Sequence, residues 1–232
     1  MKKNLIVTGL ILVVFLLGEL FVWNKFVKTK EVDYDLDKAK VLVDNYYTDN
    51  YLLNGNLFTD GMSDRYMIGK AFDKSIDKAK DYNCNEIYKD SERDDQGIVV
   101  GEGTFCDGIV KGISYKDLES SYKELFGKNA KLDKKTVGIF GYVKDEDIFV
   151  SLSCRCGGEG FTKYVYGVKD ATLKGDKLTV HVYYASFEPE EGKEEEEIDT
   201  NKYISENKDK MAVYTMNFVK ENKTYKLLSV KK

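Results

Sequence analysis

The sequence predicts an α+β domain that comes after an N-terminal transmembrane helix. Three observations predict this class: an apolar run over residues 5–23, apolar stripes at helical spacing in the next part of the chain, and a period of two from Val137 onward. Helices that precede a run of antiparallel strands bury their apolar stripes against one face of the sheet. We therefore expect helices packed on a curved, antiparallel β-sheet.

The first element is a membrane span over residues 5–23, which are apolar apart from one threonine, one glutamate and two glycines. In a helix these residues reach about 28 Å, close to the ~30 Å hydrocarbon core of a bilayer. Lys2 and Lys3 lie in a short cytoplasmic leader, residues 1–4, and no small-residue cleavage motif comes after the run. These features predict a signal anchor that is retained.

The orientation of this span is predicted by its resemblance in form to an export signal. Lys25, Lys28 and Lys30 on its far side nearly balance the lysines before it, which leaves the reverse orientation open. A short basic leader ahead of an apolar run favours export of the C-terminal residues. We expect a single-pass protein of the cell membrane, with a juxtamembrane linker over residues 24–32 and an extracytoplasmic domain over residues 33–232.

The charge distribution limits the partners of that domain. The whole chain has a net charge of −4, and its first 30 residues carry five lysines and one glutamate. Residues 31–232 therefore have a net charge of −8. Such a surface argues against nucleic acid and against anionic lipid bound through the body of the domain. The expected partners are the membrane, through residues 5–23, and an unknown protein or small ligand outside it.

Two apolar stripes at helical spacing predict the first helices of the domain. The first consists of Leu36, Ala39, Val43, Tyr46 and Tyr47, and the second of Ile68, Ala71, Phe72, Ile76 and Ala79. Between them, residues 48–63 are rich in Asn, Asp and Gly and predict a loop. Ser114 and Asp117 stand in a capping relation ahead of a third helix, and Gly127 marks its end.

Alternation of apolar and polar residues predicts strands in the rest of the chain. It is clearest around Ile148, over residues 178–185, and in a closing hairpin of residues 211–219 and 224–230. Gly175 and Asp176 predict a two-residue turn before the strand of residues 178–185. Residues 188–199 hold seven glutamates and predict a mobile loop, with a docking site for cations or a basic partner as the alternative.

Two segments resemble known proteins: ISYKDLESSYKELFG over residues 113–127, and YTMNFVKENKTYKLLSV over residues 214–230. Both resemble uncharacterised bacterial proteins that carry a signal anchor or lipid anchor and an exported α+β domain, a group that brings no activity with it. The closing hairpin is also similar to the last strands of NTF2-like domains. That similarity implies a curved sheet with a cone behind it for small ligands or partner peptides.

Four cysteines, Cys84, Cys106, Cys154 and Cys156, are the best sequence clue to chemistry. An even number in an exported chain predicts structural disulfides, and three pairings are possible. Cys84 with Cys106 would close a loop worth about 3 kcal/mol in the chain-entropy model. Alternatively, Cys154 and Cys156 would each form a disulfide with one of the other two cysteines. These bonds would tie the region around Cys84 and Cys106 to the end of a strand.

Metal binding, thiol catalysis or redox chemistry at the cysteines remains an alternative. A tetrathiolate zinc site would lack the paired C-x2-C spacing that such sites use, so we expect no metal and no cofactor. A thiol-dependent enzyme or redox protein would use Cys154 and Cys156, with Arg155 favouring the thiolate. His181, the one histidine of the chain, would be its base, although its alternation with valines is typical of a strand histidine.

The leading functional prediction is non-catalytic binding outside the membrane. We expect the ligand to lie on the sheet face that the helices leave uncovered. Tyrosines on the predicted strands combine an apolar ring with a polar tip and are the candidate contacts. These are Tyr164, Tyr166, Tyr183 and Tyr184.

Overall fold

The protein is described by a computed structural model over residues 30–47, 56–101, 103–154, 163–187 and 199–232. These residues form an α+β fold in which antiparallel sheets pack with helices, as predicted. The predicted span over residues 5–23 lies outside them, as do residues 188–198 of the acidic stretch. Within the described ranges, no helix is both long enough and apolar enough to cross a membrane.

The three predicted helices are observed, with three further short helices in the described residues. In chain order the helices are α1 (Leu36–Tyr46), α2 (Leu57–Asp60), α3 (Asp64–Lys74), α4 (Cys84–Ile87), α5 (Tyr115–Phe126) and α6 (Thr200–Asn207), with a 3-10 turn at Ile76–Lys78. The second stripe was predicted to continue to Ala79, but α3 ends at Lys74. The Ser75 hydroxyl donates to the Ser121 hydroxyl at 2.6 Å, which holds the chain against α5 as it leaves the helix.

The helix predicted from its capping residues is confirmed in detail. The Ser114 Oγ accepts a hydrogen bond from the Asp117 backbone N–H at 3.1 Å and donates to the Asp117 carboxylate at 2.6 Å. Gly127 ends α5 with a φ of 97°, in the region that favours glycine. Local side-chain chemistry therefore sets both ends of this helix.

The strands form three antiparallel sheets. In chain order they are β1 (Glu31–Asp33), β2 (Lys80–Asn83), β3 (Arg93–Asp94), β4 (Gly97–Gly101), β5 (Thr104–Cys106), β6 (Ile109–Ser114), β7 (Phe140–Val143), β8 (Ile148–Ser151), β9 (Ser153–Cys154), β10 (Lys163–Lys174), β11 (Lys177–Phe187), β12 (Ala212–Glu221) and β13 (Thr224–Lys231). The main sheet has the order β1-β10-β11-β12-β13, the second sheet β2-β6-β8-β7, and the small sheet β3-β4-β5-β9.

The main sheet is built on tight turns and interrupted by two bulges. Gly175 and Asp176 join β10 to β11, as predicted, and Asn222 and Lys223 join β12 to β13. In β10 the register shifts so that Lys169 has no partner. In β13 it shifts so that Leu227 pairs with Phe218 and Ser229 with Asn217, which leaves Leu228 as the extra residue. The sequence pattern did not predict either bulge.

Two hydrophobic clusters hold these layers together. The larger lies between one face of the main sheet and the helices α1, α3 and α5, and contains the fully buried Val43, Tyr66, Leu118 and Phe218. The smaller joins the second sheet to the small sheet around Cys84 and Cys106. The sequence pattern assigned no strand to residues 80–112. They form several of these strands because pairing with residues 148–154, far along the chain, supplies the order that the local pattern lacks.

A disulfide joins Cys84 at the start of α4 to Cys106 in β5, with Cα atoms 5.6 Å apart. The structure thereby selects one of the pairings that the sequence left open. Both residues are buried, at 1% and 0% exposure, inside the smaller cluster. Cys154 is also disulfide-bonded, while Cys156 lies outside the described residues.

Candidate functional site

A cleft of about 500 Å³ opens where the C-terminal ends of α1, α3 and α5 meet the start of β13. Its charged lining consists of Lys70, Asp73, Lys74, Glu124, Lys223 and Lys226. Its apolar and aromatic lining consists of Leu42, Tyr46, Leu125 and Tyr225. The α1 and α3 stripes and the capped α5 each bury one face on the core, which brings their ends together beside the closing hairpin. We refer to this site as the lysine cleft.

Tyr46 holds the floor of the lysine cleft in place. Its hydroxyl donates to the Leu125 carbonyl at 2.6 Å and accepts the Leu227 backbone N–H at 3.3 Å, which joins α1 to α5 and β13. Burial raises the pKa of Tyr46 to about 12, against the opposing effect of the Leu227 N–H, and the charge of Glu124 raises it further. The phenol is therefore neutral at physiological pH and keeps the proton that it donates.

Replacing Tyr46 by phenylalanine is expected to lower the free energy of unfolding by about 1–2 kcal/mol, because the buried Leu227 N–H loses its partner. Tyr34→Phe is the matched control, since the Tyr34 hydroxyl makes no hydrogen bond to any described residue while its ring packs on Tyr225. Chemical denaturation of both variants measures the difference. Equal stability of the two variants would show that the Tyr46 hydroxyl does not join these elements.

Two lysines of the cleft are bound by the last carbonyl groups of the helices. The Lys70 ammonium donates to the Tyr47 carbonyl at 3.4 Å, and the Lys226 ammonium donates to the Glu124 carbonyl. Lysines favour this position because the C-terminal end of a helix carries partial negative charge. Burial lowers the pKa of Lys70, and the nearby charge of Asp73 opposes that shift.

The other charges of the cleft are unequal in number. Lys74 pairs with Glu124 at 3.1 Å, and both side chains are substantially exposed. Lys223 lies exposed in the turn before β13. Four lysines against one aspartate and one glutamate give the lining a net charge of +2. This cluster of positive charge lies in a domain whose residues 31–232 have a net charge of −8.

Three of the predicted contact tyrosines lie on the helix-covered face of the main sheet, contrary to expectation. Tyr166 and Tyr184 pair across β10 and β11 and share that face, and Tyr184 is 4% exposed. The Tyr166 ring lies 4.0 Å from the Tyr47 ring of the α1 C-cap. The Tyr164 ring stacks on Tyr184 with centroids 6.0 Å apart. These rings pack with the core, because α1 and α2 cover the face that the pattern left unassigned.

Tyr183 lies on the opposite face, since neighbouring residues of a strand point to opposite sides. Gly167 is its partner across the pair, and a Cβ on Gly167 would lie 2.5 Å from the Ile204 side chain. Helix α6 therefore packs over this part of the second face. The four predicted tyrosines do not form one surface, and only Tyr183 is on the face away from α1.

The single histidine lies on the same face as Tyr183. The His181 Nδ1 contacts the Asp170 carboxylate, next to the Lys169 bulge. Farther along this face, Thr179 donates to Asn217 at 3.3 Å and Asn217 donates to Ser229 at 3.1 Å. These polar side chains bond to one another across the strands.

The residues of the thiol alternative lie on different elements. Cys154 lies in β9 of the small sheet and is disulfide-bonded, whereas His181 is in β11 of the main sheet and contacts Asp170. The side chains that could bind a metal ion are also dispersed. Across the described parts of the chain, no group of three or more His, Cys, Asp or Glu side chains is arranged to hold a metal ion.

Sequence reasoning did not identify the lysine cleft. Tyr46 was predicted only as core, and the lysines are spread over α3, the turn before β13 and β13 itself, among many other lysines. One sequence feature could have indicated the cleft: Lys226 is a charged residue inside the closing strand, next to the buried Leu227. Comparison of the chain with models of known families, with curated proteins and with solved structures gave no match. The function is therefore inferred from the geometry of the site.

Proposed function

We propose that the chain is a membrane-anchored, extracytoplasmic binding protein and that the lysine cleft is its ligand site. The observation that carries the proposal is the cleft itself, at about 500 Å³. Sites for small molecules have volumes of about 300–1,000 Å³ and combine apolar walls with a few polar groups. Leu42, Leu125 and Tyr225 supply the walls, and Lys70 and Lys226 supply the polar groups.

Two further observations support the location outside the membrane. The apolar run over residues 5–23 has the length of a span and the leader of an export signal. The Cys84–Cys106 disulfide suits an oxidising compartment, where such bonds form and persist. The bulges at Lys169 and Leu228 would bend the main sheet around the helices, in keeping with the predicted curved sheet.

Binding is favoured over catalysis by the groups that line the cleft. Lysines, one aspartate, one glutamate and Tyr46 surround it, and the pKa of Tyr46 is too high for acid–base work near neutral pH. His181 and Cys154 lie on other elements. The proposal therefore assigns the cleft a ligand and no reaction.

Accessibility of a new cysteine in intact cells tests the location. Lys89→Cys places a thiol at an exposed position of the domain, and Lys2→Cys places one in the predicted cytoplasmic leader. We expect a membrane-impermeant maleimide to label the first variant in intact cells and the second only after lysis. The reverse pattern would contradict the proposed orientation.

Filling the cleft tests the ligand site. Leu42→Trp places a large ring in the cleft, and Val41→Trp places the same ring at a neighbouring position that is 60% exposed. We expect fragments that bind the full chain in lipid nanodiscs, detected by ligand-observed NMR, to lose at least about tenfold in affinity only in the Leu42 variant. Equal binding by both variants would exclude the cleft as the site.

A further inference from the structure

Lys226 is a buried cation without an acidic partner. It is 9% exposed, and its ammonium donates to the Glu124 carbonyl. No carboxylate of the described residues lies within ion-pair distance of it. Burial of an ammonium in a protein is unfavourable unless a counter-charge compensates for the lost water. The carbonyl is a dipole and supplies only part of that compensation.

The ammonium groups of the cleft have hydrogen-bond donors to spare. A lysine ammonium carries three donors, and Lys70 and Lys226 each use one on a backbone carbonyl. Both side chains line the cleft. Donors that do not bond to these carbonyls are available to a group bound there, and acceptors with full negative charge form the stronger hydrogen bonds.

The charge balance favours an anion over a cation in the cleft. Lys74 and Glu124 largely neutralise each other at 3.1 Å. The negative charge of Asp73 acts on Lys70, so Lys223 and Lys226 account for the excess positive charge of the cleft. The helix ends contribute partial negative charges, and at α1 and α5 a lysine ammonium already binds one of the end carbonyls.

We propose that the lysine cleft binds a small organic anion, whose phosphate or carboxylate group contacts Lys226 and Lys70 while its apolar body lies between Leu42, Leu125 and Tyr225. This inference rests on the proposed function and names the ligand class of the same site. The acidic surface of the remaining domain would steer anions away from other positions, so binding is confined to the cleft. The competing account is that the lysines only cap the helix ends.

The experiment compares charged and neutral probes of one shape. Phenyl phosphate, benzoate and the neutral benzamide are titrated against the full chain in lipid nanodiscs by ligand-observed NMR, with empty nanodiscs as the blank. We expect both anions to bind at least about tenfold more tightly than benzamide, the worth of one charge-assisted hydrogen bond. The tighter of the two anions identifies the phosphate or the carboxylate as the preferred group.

Variants assign the effect to the cleft. Lys226→Met keeps the length of the side chain and removes its charge, and should weaken phenyl phosphate binding about tenfold while leaving benzamide unchanged. Lys89→Met, at an exposed position outside the cleft, is the matched control and should change neither. If Lys226→Met does not fold, Lys223→Glu in the exposed turn should also weaken phenyl phosphate binding.

The outcomes separate this inference from the function on which it rests. Equal binding of phenyl phosphate, benzoate and benzamide, abolished by Leu42→Trp, would overturn the preference for an anion and keep the cleft as a ligand site. Anion binding that neither Lys226→Met nor Lys223→Glu weakens would also overturn it and leave the lysines as helix caps. If no probe binds, and the fragment screen also finds nothing that Leu42→Trp removes, both proposals fail.

Discussion

Replacing Leu227 by alanine is expected to lower the free energy of unfolding by about 2–5 kcal/mol, the usual cost of truncating a buried leucine. The same substitution at the adjacent Leu228 should change it by no more than about 0.5 kcal/mol. Leu227 is 0% exposed and pairs with Phe218 in the core, whereas Leu228 is 51% exposed. Neighbouring residues of a strand point to opposite faces, and Leu228 is in addition the unpaired residue of the bulge in β13.

Urea denaturation of the full chain in detergent micelles, followed by circular dichroism, measures both variants. The two leucines are a matched pair, since the change in side chain is identical and the positions are adjacent. If the slope of the free energy of unfolding against urea concentration is unchanged, the shift of the midpoint reports a change in stability. Similar losses at both positions would mean that Leu228 is packed as tightly as Leu227.

Removal of the Cys84–Cys106 disulfide, by Cys84→Ala together with Cys106→Ala, is expected to cost about 3 kcal/mol. The residues are separated by 22 positions, and a loop of that size has about this closure entropy in the unfolded chain. The two truncations add a smaller loss of packing, because both residues lie inside the smaller hydrophobic cluster.

Denaturation and limited proteolysis locate this second effect. We expect new cleavage in β3 to β5, the part of the small sheet within the disulfide loop, because those strands are short and depend on the closed loop. Val99→Ala is the control, since Val99 lies in β4 at 38% exposure and is not a member of the smaller cluster. A loss below about 1 kcal/mol would show that the small sheet holds without the disulfide.

Local patterns predicted much of the fold, because they act over a few residues. The Ser114 cap and the Gly127 stop specify α5 through contacts within one turn. The stripe from Leu36 to Tyr47 specifies α1, and the closing hairpin results from alternation on both sides of a short turn. In each case the residues that determine the element lie inside it.

The site was harder to predict, because its residues come from distant parts of the chain. Tyr46 meets Leu125 and Leu227 only after α1, α5 and β13 have packed. The tyrosines of β10 and β11 were assigned to an open face, since alternation shows that two faces exist but not which one the helices cover. That choice depends on tertiary packing.

The sequence by itself determined the class of the fold, the principal helices, the closing hairpin and the acidic surface, because periodicity, capping and net charge are local or additive properties. The tertiary structure decided which cysteines pair, which of Leu227 and Leu228 is buried, and that lysines from α3 and β13 meet in one cleft. These outcomes depend on contacts between residues up to 181 positions apart. The free energy of these contacts is gained only when the sheets and helices pack together.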